Sequence, residues 1–193
     1  MNHLETHKLG LSRNGNWLFR NLDLKIPSGS LVAILGPSGV GKSSLLSCLS
    51  GSEIQTEGKI EFHFKNGKVR TTENINPELG IIFQSLRLTE HVTVLENVLY
   101  GKIAKYGIKQ SIFGFPEQDM KHAYQILKDL GIAHLAHKWT SQTSGGEKQR
   151  TAIARTLFQS PKIILADEPV SNLDTFYSGR VMGLLRNLAN QEG

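Results

Sequence analysis

The chain has 193 residues, of which 39% are hydrophobic and 20% are charged, and 22 Lys and Arg against 17 Asp and Glu give a net charge of +5. This composition excludes a disordered chain, and the length favours about one domain with its own core. The single cysteine, Cys48, excludes an intrachain disulfide, and the longest unbroken apolar stretch, residues 31–35, is far short of the roughly 20 residues that span a bilayer. We therefore expect a soluble chain of a reducing compartment that reaches a membrane only through a partner.

Strand patterns dominate the first part of the chain. Apolar and polar residues alternate over residues 22–26, which predicts a half-exposed strand, whereas the solid apolar run 31–35 predicts a buried one. Alternation over residues 60–64 leads into Asn66-Gly67, a dipeptide that suits a tight hairpin turn. We therefore expect an antiparallel edge in this region.

Helical spacing of apolar residues dominates the middle of the chain, and two further buried strands are predicted at 80–83 and 162–166. The residues with helical spacing are Val94, Leu95, Val98 and Leu99, then Ala123, Ile126, Leu127 and Leu130, then Ile153, Ala154, Leu157 and Phe158. This order predicts an α/β fold with a helical insertion. We expect one domain over residues 1–193, with a core of 1–84 and 143–193 and a helical subdomain of about 85–142.

A glycine-rich segment follows the predicted strand 31–35 and precedes a helical run at 44–49. Strand, glycine loop and helix form the order that a phosphate-binding loop requires, because the backbone N–H groups then converge on phosphate oxygens at a helix N-terminus. Lys42 can reach the β- and γ-phosphates, and the Ser43 hydroxyl can ligate Mg²⁺. A plain glycine turn is the alternative, but these flanks disfavour it. The predicted nucleotide-binding residues are Gly36, Pro37, Ser38, Gly39, Val40, Gly41, Lys42, Ser43 and Ser44.

Two adjacent carboxylates, Asp167 and Glu168, end the predicted strand 162–166. In open α/β sheets, ligands bind outside the carboxyl ends of strands. Asp167 would hold Mg²⁺ directly or through water, and Glu168 would orient or deprotonate the water that attacks the γ-phosphate. By itself, an acidic pair after a strand is more often part of an ordinary strand-to-turn connection. Its interpretation as a catalytic pair therefore depends on the presence of the phosphate loop.

Three further motifs carry a resemblance to a known family. Residues 143–150, Thr-Ser-Gly-Gly-Glu-Lys-Gln-Arg, resemble the ABC signature motif, residues 171–174, Ser-Asn-Leu-Asp, look like the D-loop, and Gln84 after residues 81–83 looks like the Q-loop glutamine. The motifs stand in family order and cover the chain from about Leu9 onward. The chain thus resembles an ABC-type ATPase subunit, which implies a P-loop NTPase core with an N-terminal antiparallel β part and a helical insertion.

The resemblance implies ATP and Mg²⁺ as ligands and a second ATPase subunit as partner, with the two chains arranged head to tail. Ser144, Gly145 and Gly146 would then close over the γ-phosphate held by the other chain. Gln84 would sense the γ-phosphate and serve as a candidate Mg²⁺ ligand beside Ser43 and Asp167. A loop that only caps a helix is the alternative for Ser144.

Residues 95–101, 111–116 and 163–170 look like segments of phosphonate-import ATPases. This closer resemblance implies the ATP-hydrolysing subunit of an importer of phosphonates or related oxyanions. Its partners would be membrane permease subunits and a solute-binding protein, and its place the cytoplasmic face of the inner membrane, with no nucleic acid partner. The alternatives are a soluble ABC ATPase that acts on nucleic acid or the ribosome, and a fragment that binds ATP without efficient hydrolysis.

The sequence departs from the family pattern at several points. No aromatic residue stands near Leu11 and Ser12, where the family stacks adenine, and Trp17 could either replace it or pack on the sheet. Glu147 stands where the family most often has glutamine, and Thr143 stands where it usually has leucine. Neither difference removes an N–H donor, so we expect nucleotide binding to be retained. The family continues after the acidic pair into another core strand that carries a switch histidine, whereas this sequence ends 25 residues after Glu168 and all seven of its histidines precede Asp167. We therefore expect a truncated subunit that retains phosphate binding but is impaired in hydrolysis.

Overall fold

The structure, a computed structural model, describes residues 3–64, 66–72, 78–106 and 114–192. The chain divides into two compact units, one of residues 1–79 and 183–193 and the other of residues 80–182. Part of the phosphonate-type segment 111–116, residues 111–113, lies outside the described residues.

An antiparallel sheet organises the first unit. Its strands are β1 (His3–Arg13), β2 (Asn16–Ile26), β3 (Glu57–His63) and β4 (Val69–Arg70), in the order β2-β1-β3-β4. The predicted strands 22–26 and 60–64 are confirmed within β2 and β3. The predicted edge is also confirmed, since β3 pairs with the short strand β4 and Gly67 takes the left-handed φ of 75° between them.

A bulge in β1 decides which of its side chains are buried. Leu4 and Thr6 are buried before it and Leu9 after it, because Lys8 adopts φ 47° and the pairing registers shift between Thr6 and Leu9. Gly58 of β3 lies against the bulge, and a Cβ there would come 2.5 Å from the backbone oxygens of residues 7 and 8. This close approach requires glycine.

The prediction of a buried strand at residues 31–35 is wrong. Leu31 is 50% exposed and Leu35 is 89% exposed, and none of the six strands in the described ranges includes this run. A solid apolar run shows a preference for burial, but a strand also needs a neighbour that accepts and donates its backbone hydrogen bonds. The following helix is as predicted: α1 (Lys42–Leu49) buries Leu45, Cys48 and Leu49.

The second unit combines a small sheet with helices. Strands β5 (Leu79–Ile82) and β6 (Ile163–Ala166) confirm the strands predicted at 80–83 and 162–166, and they pair with each other. Its helices include α2 (Val94–Leu99), α3 (Glu117–Asp129), α4 (Gly145–Phe158) and the first part of α5 (Thr175–Glu192), which belongs to the first unit from residue 183 onward. There are 3₁₀ turns at Tyr100–Lys102, Ala133–Leu135 and Thr140–Gln142. The three helical patterns of the sequence are thereby confirmed. Within the described ranges, no helix combines the length and the apolar character that a bilayer crossing needs.

A buried polar side chain fixes α2. The amide of Asn97 is fully buried, donates to the Thr89 carbonyl and the Thr140 hydroxyl at 2.8 Å each, and accepts from the Thr89 N–H at 3.0 Å. Thr93 and Glu96 form a capping box at the start of the helix. These contacts hold α2 in one orientation among its neighbours.

Two leucine truncations test the exposure of the run 31–35. Leu9→Ala should lower the free energy of unfolding by about 2–5 kcal/mol because Leu9 is fully buried. Leu35→Ala should change it by less than about 0.5 kcal/mol. Urea unfolding followed by far-UV circular dichroism measures both, and equal losses would show that the run is packed in a core.

Candidate functional site

The phosphate loop lies in the first unit, with every residue from 31 to 40 exposed. Gly39 has φ 80° and Gly41 has φ 102°, values that side-chain-bearing residues rarely adopt. Gly41 is the N-cap of α1 and supplies no capping side chain, so the first N–H groups of the helix keep their capacity for an outside acceptor. The loop therefore keeps two features of an anion site, the glycine bend and the uncapped helix N-terminus, although residues 31–35 before it do not form the expected strand.

Lys42 folds back over this loop. Its ammonium group donates to the carbonyl oxygens of Gly36 and Pro37, at 2.8 Å each. The positive charge is thus held above the glycine bend by backbone oxygens, which a phosphate oxygen can replace as acceptor. Ser43 is exposed and Ser44 half-buried at the start of α1.

The acidic pair lies in the second unit, at the end of β6. The Asp167 N–H donates to the Ile82 carbonyl at 2.9 Å, which continues the pairing of β5 with β6. Glu168 then turns the chain with φ 50°, a left-handed conformation that is uncommon outside glycine. The amide of Gln84 donates to Glu168 Oε2 at 3.3 Å. The structure thus brings together two predicted site residues that are far apart in sequence.

Gln149 on α4 braces this turn, and sequence reasoning missed it. The side chain is 1% exposed, and its Nε2 donates to the carbonyls of Glu168 at 3.2 Å and Pro169 at 2.8 Å. Its Oε1 accepts from Asn172 Nδ2 at 3.1 Å, while the Ser171 N–H and hydroxyl donate to the Glu168 carbonyl. The sequence did carry a sign of its burial, because Gln149 lies one helical turn before the apolar residues of the same helix. A buried glutamine needs hydrogen-bond partners for its amide, so such a position indicates polar contacts inside the protein.

The signature segment starts α4 as a capping box. The Ser144 hydroxyl accepts from the Glu147 N–H at 3.4 Å, and Glu147 Oε2 accepts from the Ser144 N–H at 2.7 Å. The hydrogen bond from the Ser144 backbone lowers the pKa of Glu147, so a negative charge sits at the helix N-terminus. Gly145 is open, whereas a Cβ on Gly146 would lie 3.1 Å from the Asn172 carbonyl, so the D-loop requires a small residue there.

Arg155 is a second residue that the sequence analysis did not single out. Its guanidinium donates to the carbonyls of Leu86 and Arg87 at 2.7 Å each. These two residues follow Gln84 and have φ values of 56° and 47°. Consecutive left-handed residues are strained, so Arg155 stabilises the turn that begins at the glutamine.

Trp17 lies on β2 and is 42% exposed. The Arg20 guanidinium lies 4.4 Å from the ring centroid, so a cation covers part of one face of the indole. Stacking of a nucleotide base on Trp17 stays a prediction.

Comparisons with known proteins identify relatives of this chain. The family described as ABC transporter matches residues 19–171. Phosphonates import ATP-binding protein PhnC 2 of Oceanobacillus iheyensis is 39% identical over 100% of this chain and 78% of its own length. Phosphonates import ATP-binding protein PhnC of Trichormus variabilis is 36% identical over 98% of this chain and 79% of its own length. The dimeric bacterial ABC transporter cassette MJ0796 matches with a TM-score of 0.81 and 31% identity, over 97% of this chain and 83% of that one.

The charge of Glu147 makes a testable contribution to stability. Because the folded pKa of this carboxylate is lowered, its stabilisation is complete above the ordinary pKa of 4.5 and is lost as the pH falls through the folded value. Glu147→Gln should therefore be less stable than the wild type by about 0.5 kcal/mol at neutral pH in low salt, and the difference should vanish in acid. Urea unfolding at a series of pH values measures it, and a difference that does not change with pH would contradict the assignment.

Proposed function

The chain belongs to the ABC transporter ATP-binding family, and from this premise we propose that it is the ATP-hydrolysing subunit of an importer of phosphonates or related oxyanions. Two relatives that match almost the whole chain are phosphonates import ATP-binding proteins, which supports this substrate class. The main structural support for the ATPase role is the hydrogen bond from Gln84 to Glu168. The turn that contains Glu168 is itself held by a hydrogen bond from the buried Gln149.

ATP and Mg²⁺ fit the donors that the structure presents. The uncapped N-terminus of α1 and the ammonium of Lys42 suit the charged phosphates of ATP. From the sequence motifs we propose Ser43 in the first unit and Asp167 and Gln84 in the second as candidate Mg²⁺ ligands, since each carries an oxygen atom of the kind that Mg²⁺ prefers. The metal would neutralise charge on the phosphates when bound.

Glu168 has the geometry of a base for the attacking water. Its Oε2 is occupied by the Gln84 amide, which leaves Oε1 to accept the proton of a water molecule. The water oxygen forms a bond to the γ-phosphorus, the bond from that phosphorus to the ADP oxygen breaks, and Glu168 takes the proton. Lys42 stabilises the charge on the transferred group.

A second ATPase subunit would complete the site, as the dimeric form of the MJ0796 cassette suggests. Ser144, Gly145 and Gly146 would face the nucleotide of that subunit with a hydroxyl and backbone N–H groups. Permease subunits and a solute-binding protein would complete the importer, with this chain on the cytoplasmic face of the inner membrane.

Two substitutions separate binding from hydrolysis. Lys42→Ala should abolish detectable Mg-ATP binding in isothermal titration calorimetry, because it removes the cation of the phosphate loop. Glu168→Gln should bind Mg-ATP as the wild type does and hydrolyse it about 100-fold more slowly or worse, because an amide accepts no proton. Phosphate release measures the second effect. Wild-type hydrolysis by Glu168→Gln, or wild-type binding by Lys42→Ala, would overturn the assignment.

A further inference from the structure

A cluster of three side chains on the sheet of the first unit has no part in the nucleotide site. His3 and Glu5 of β1 and His63 of β3 form this cluster, called here the His–Glu cluster. In the antiparallel register His3 lies directly opposite His63, and Glu5 lies two residues along the same strand face. Leu4 and Phe62 are buried on the opposite face, so the sheet holds the cluster on a rigid support.

The ligand atoms of the cluster lie close to the spacing of a metal site. All three lie within 4.8 Å of one another, with His3 Nε2 3.5 Å from Glu5 Oε1 and His63 Nε2 3.7 Å from Glu5 Oε2. In a tetrahedral site with bonds of about 2.0–2.1 Å, neighbouring ligand atoms lie roughly 3.4 Å apart. The two imidazole rings stack with their centroids 4.3 Å apart and an angle of 7° between their planes, so the rings must turn towards each other before both nitrogens can bind one ion.

One nitrogen of the cluster is shielded from solvent without a hydrogen bond. This atom is His63 Nε2, which Glu61 Oε2 approaches to 3.4 Å without hydrogen-bond geometry. An unpaired polar atom out of contact with water is costly, and a metal ion would satisfy it.

We propose that His3, Glu5 and His63 bind a divalent transition-metal ion of the Zn²⁺ class. Two imidazoles and one carboxylate form a ligand set that suits Zn²⁺ and Co²⁺ and is unlike the oxygen-only set of Mg²⁺. Lys25 forms an ion pair with Glu5 Oε1, the oxygen nearer His3, which leaves Oε2, 3.7 Å from His63 Nε2, as the oxygen that would bind the ion. His7 Nε2, at 3.7 Å from Glu5 Oε2 on a half-exposed side chain, or a water molecule completes the four ligands.

The ion would join β1 to β3 across their pairing. The two histidine ligands lie about sixty residues apart in sequence. An ion that binds the folded chain and not the unfolded chain stabilises the fold by mass action. A cleft lined by His7 and Glu61 opens beside the cluster and gives the ion a route from solvent. The site therefore makes the stability of the first unit depend on a transition metal.

Titration of the full chain with ZnCl₂, in excess Mg²⁺ and without nucleotide, tests the proposal. The wild type should bind one Zn²⁺ per chain by calorimetry, and Co²⁺ should give the intense visible absorption of a four-coordinate site. His63→Ala and Glu5→Gln should each weaken Zn²⁺ binding by about tenfold or more and remove the Co²⁺ absorption. His91→Ala is the matched control, because His91 is exposed and belongs to no such cluster in the described residues.

Each possible result either supports or overturns the proposal. Loss of binding in the two cluster variants but not in His91→Ala supports the site, and melting followed by circular dichroism confirms that the variants are folded. If His63→Ala does not fold, Glu5→Gln decides, since it keeps the shape of the side chain. Equal affinity in all four proteins, or no stoichiometric binding by the wild type, would overturn the proposal.

Discussion

The acidic turn after β6 depends on the buried side chain of Gln149. Glu168 is held at φ 50°, which costs about 1–3 kcal/mol outside glycine. The hydrogen bonds from Gln149 to the carbonyls of Glu168 and Pro169 offset that strain. They also leave Glu168 Oε2 beside Gln84. Without the brace, the turn would relax and the carboxylate would lose its position.

The same side chain couples the three motifs of the second unit. Gln149 lies one turn into α4, whose first residue follows the Ser144 cap, and its Oε1 holds Asn172 of the D-loop. Gly146 approaches the Asn172 carbonyl so closely that a larger residue would push the D-loop away. Gln149 thereby connects the signature helix to the acidic turn and to the D-loop by direct hydrogen bonds. In the proposed head-to-tail dimer, this contact would link the signature segment that faces the partner's nucleotide to the acidic turn of the same chain.

Local patterns predicted much of the fold, since alternation over two residues marks a half-buried strand and Asn-Gly marks a hairpin. They also predicted a glycine bend over residues 36–43, where Gly39 and Gly41 take φ values of 80° and 102° that glycine adopts readily. The exposure of residues 31–35 could not be predicted, because an apolar run does not show whether a neighbouring strand exists to pair with it. Gln149 and Arg155 were missed because their partners are set by tertiary packing. The pairing of His3 with His63 depends on strand register, which alternation alone does not fix.

The kinetics of Gln149→Leu test the bracing of Glu168 most directly. Leucine has about the same size but donates no hydrogen bond, and Gln149 lies outside the phosphate loop. At a temperature where the variant is folded, we predict a Kd for Mg-ATP within about twofold of the wild type and a kcat lower by about tenfold or more, since a small misplacement of a catalytic group is costly. Gln125→Leu, an exposed glutamine on α3, should leave both constants unchanged. An unchanged kcat in the folded Gln149→Leu protein would contradict the account.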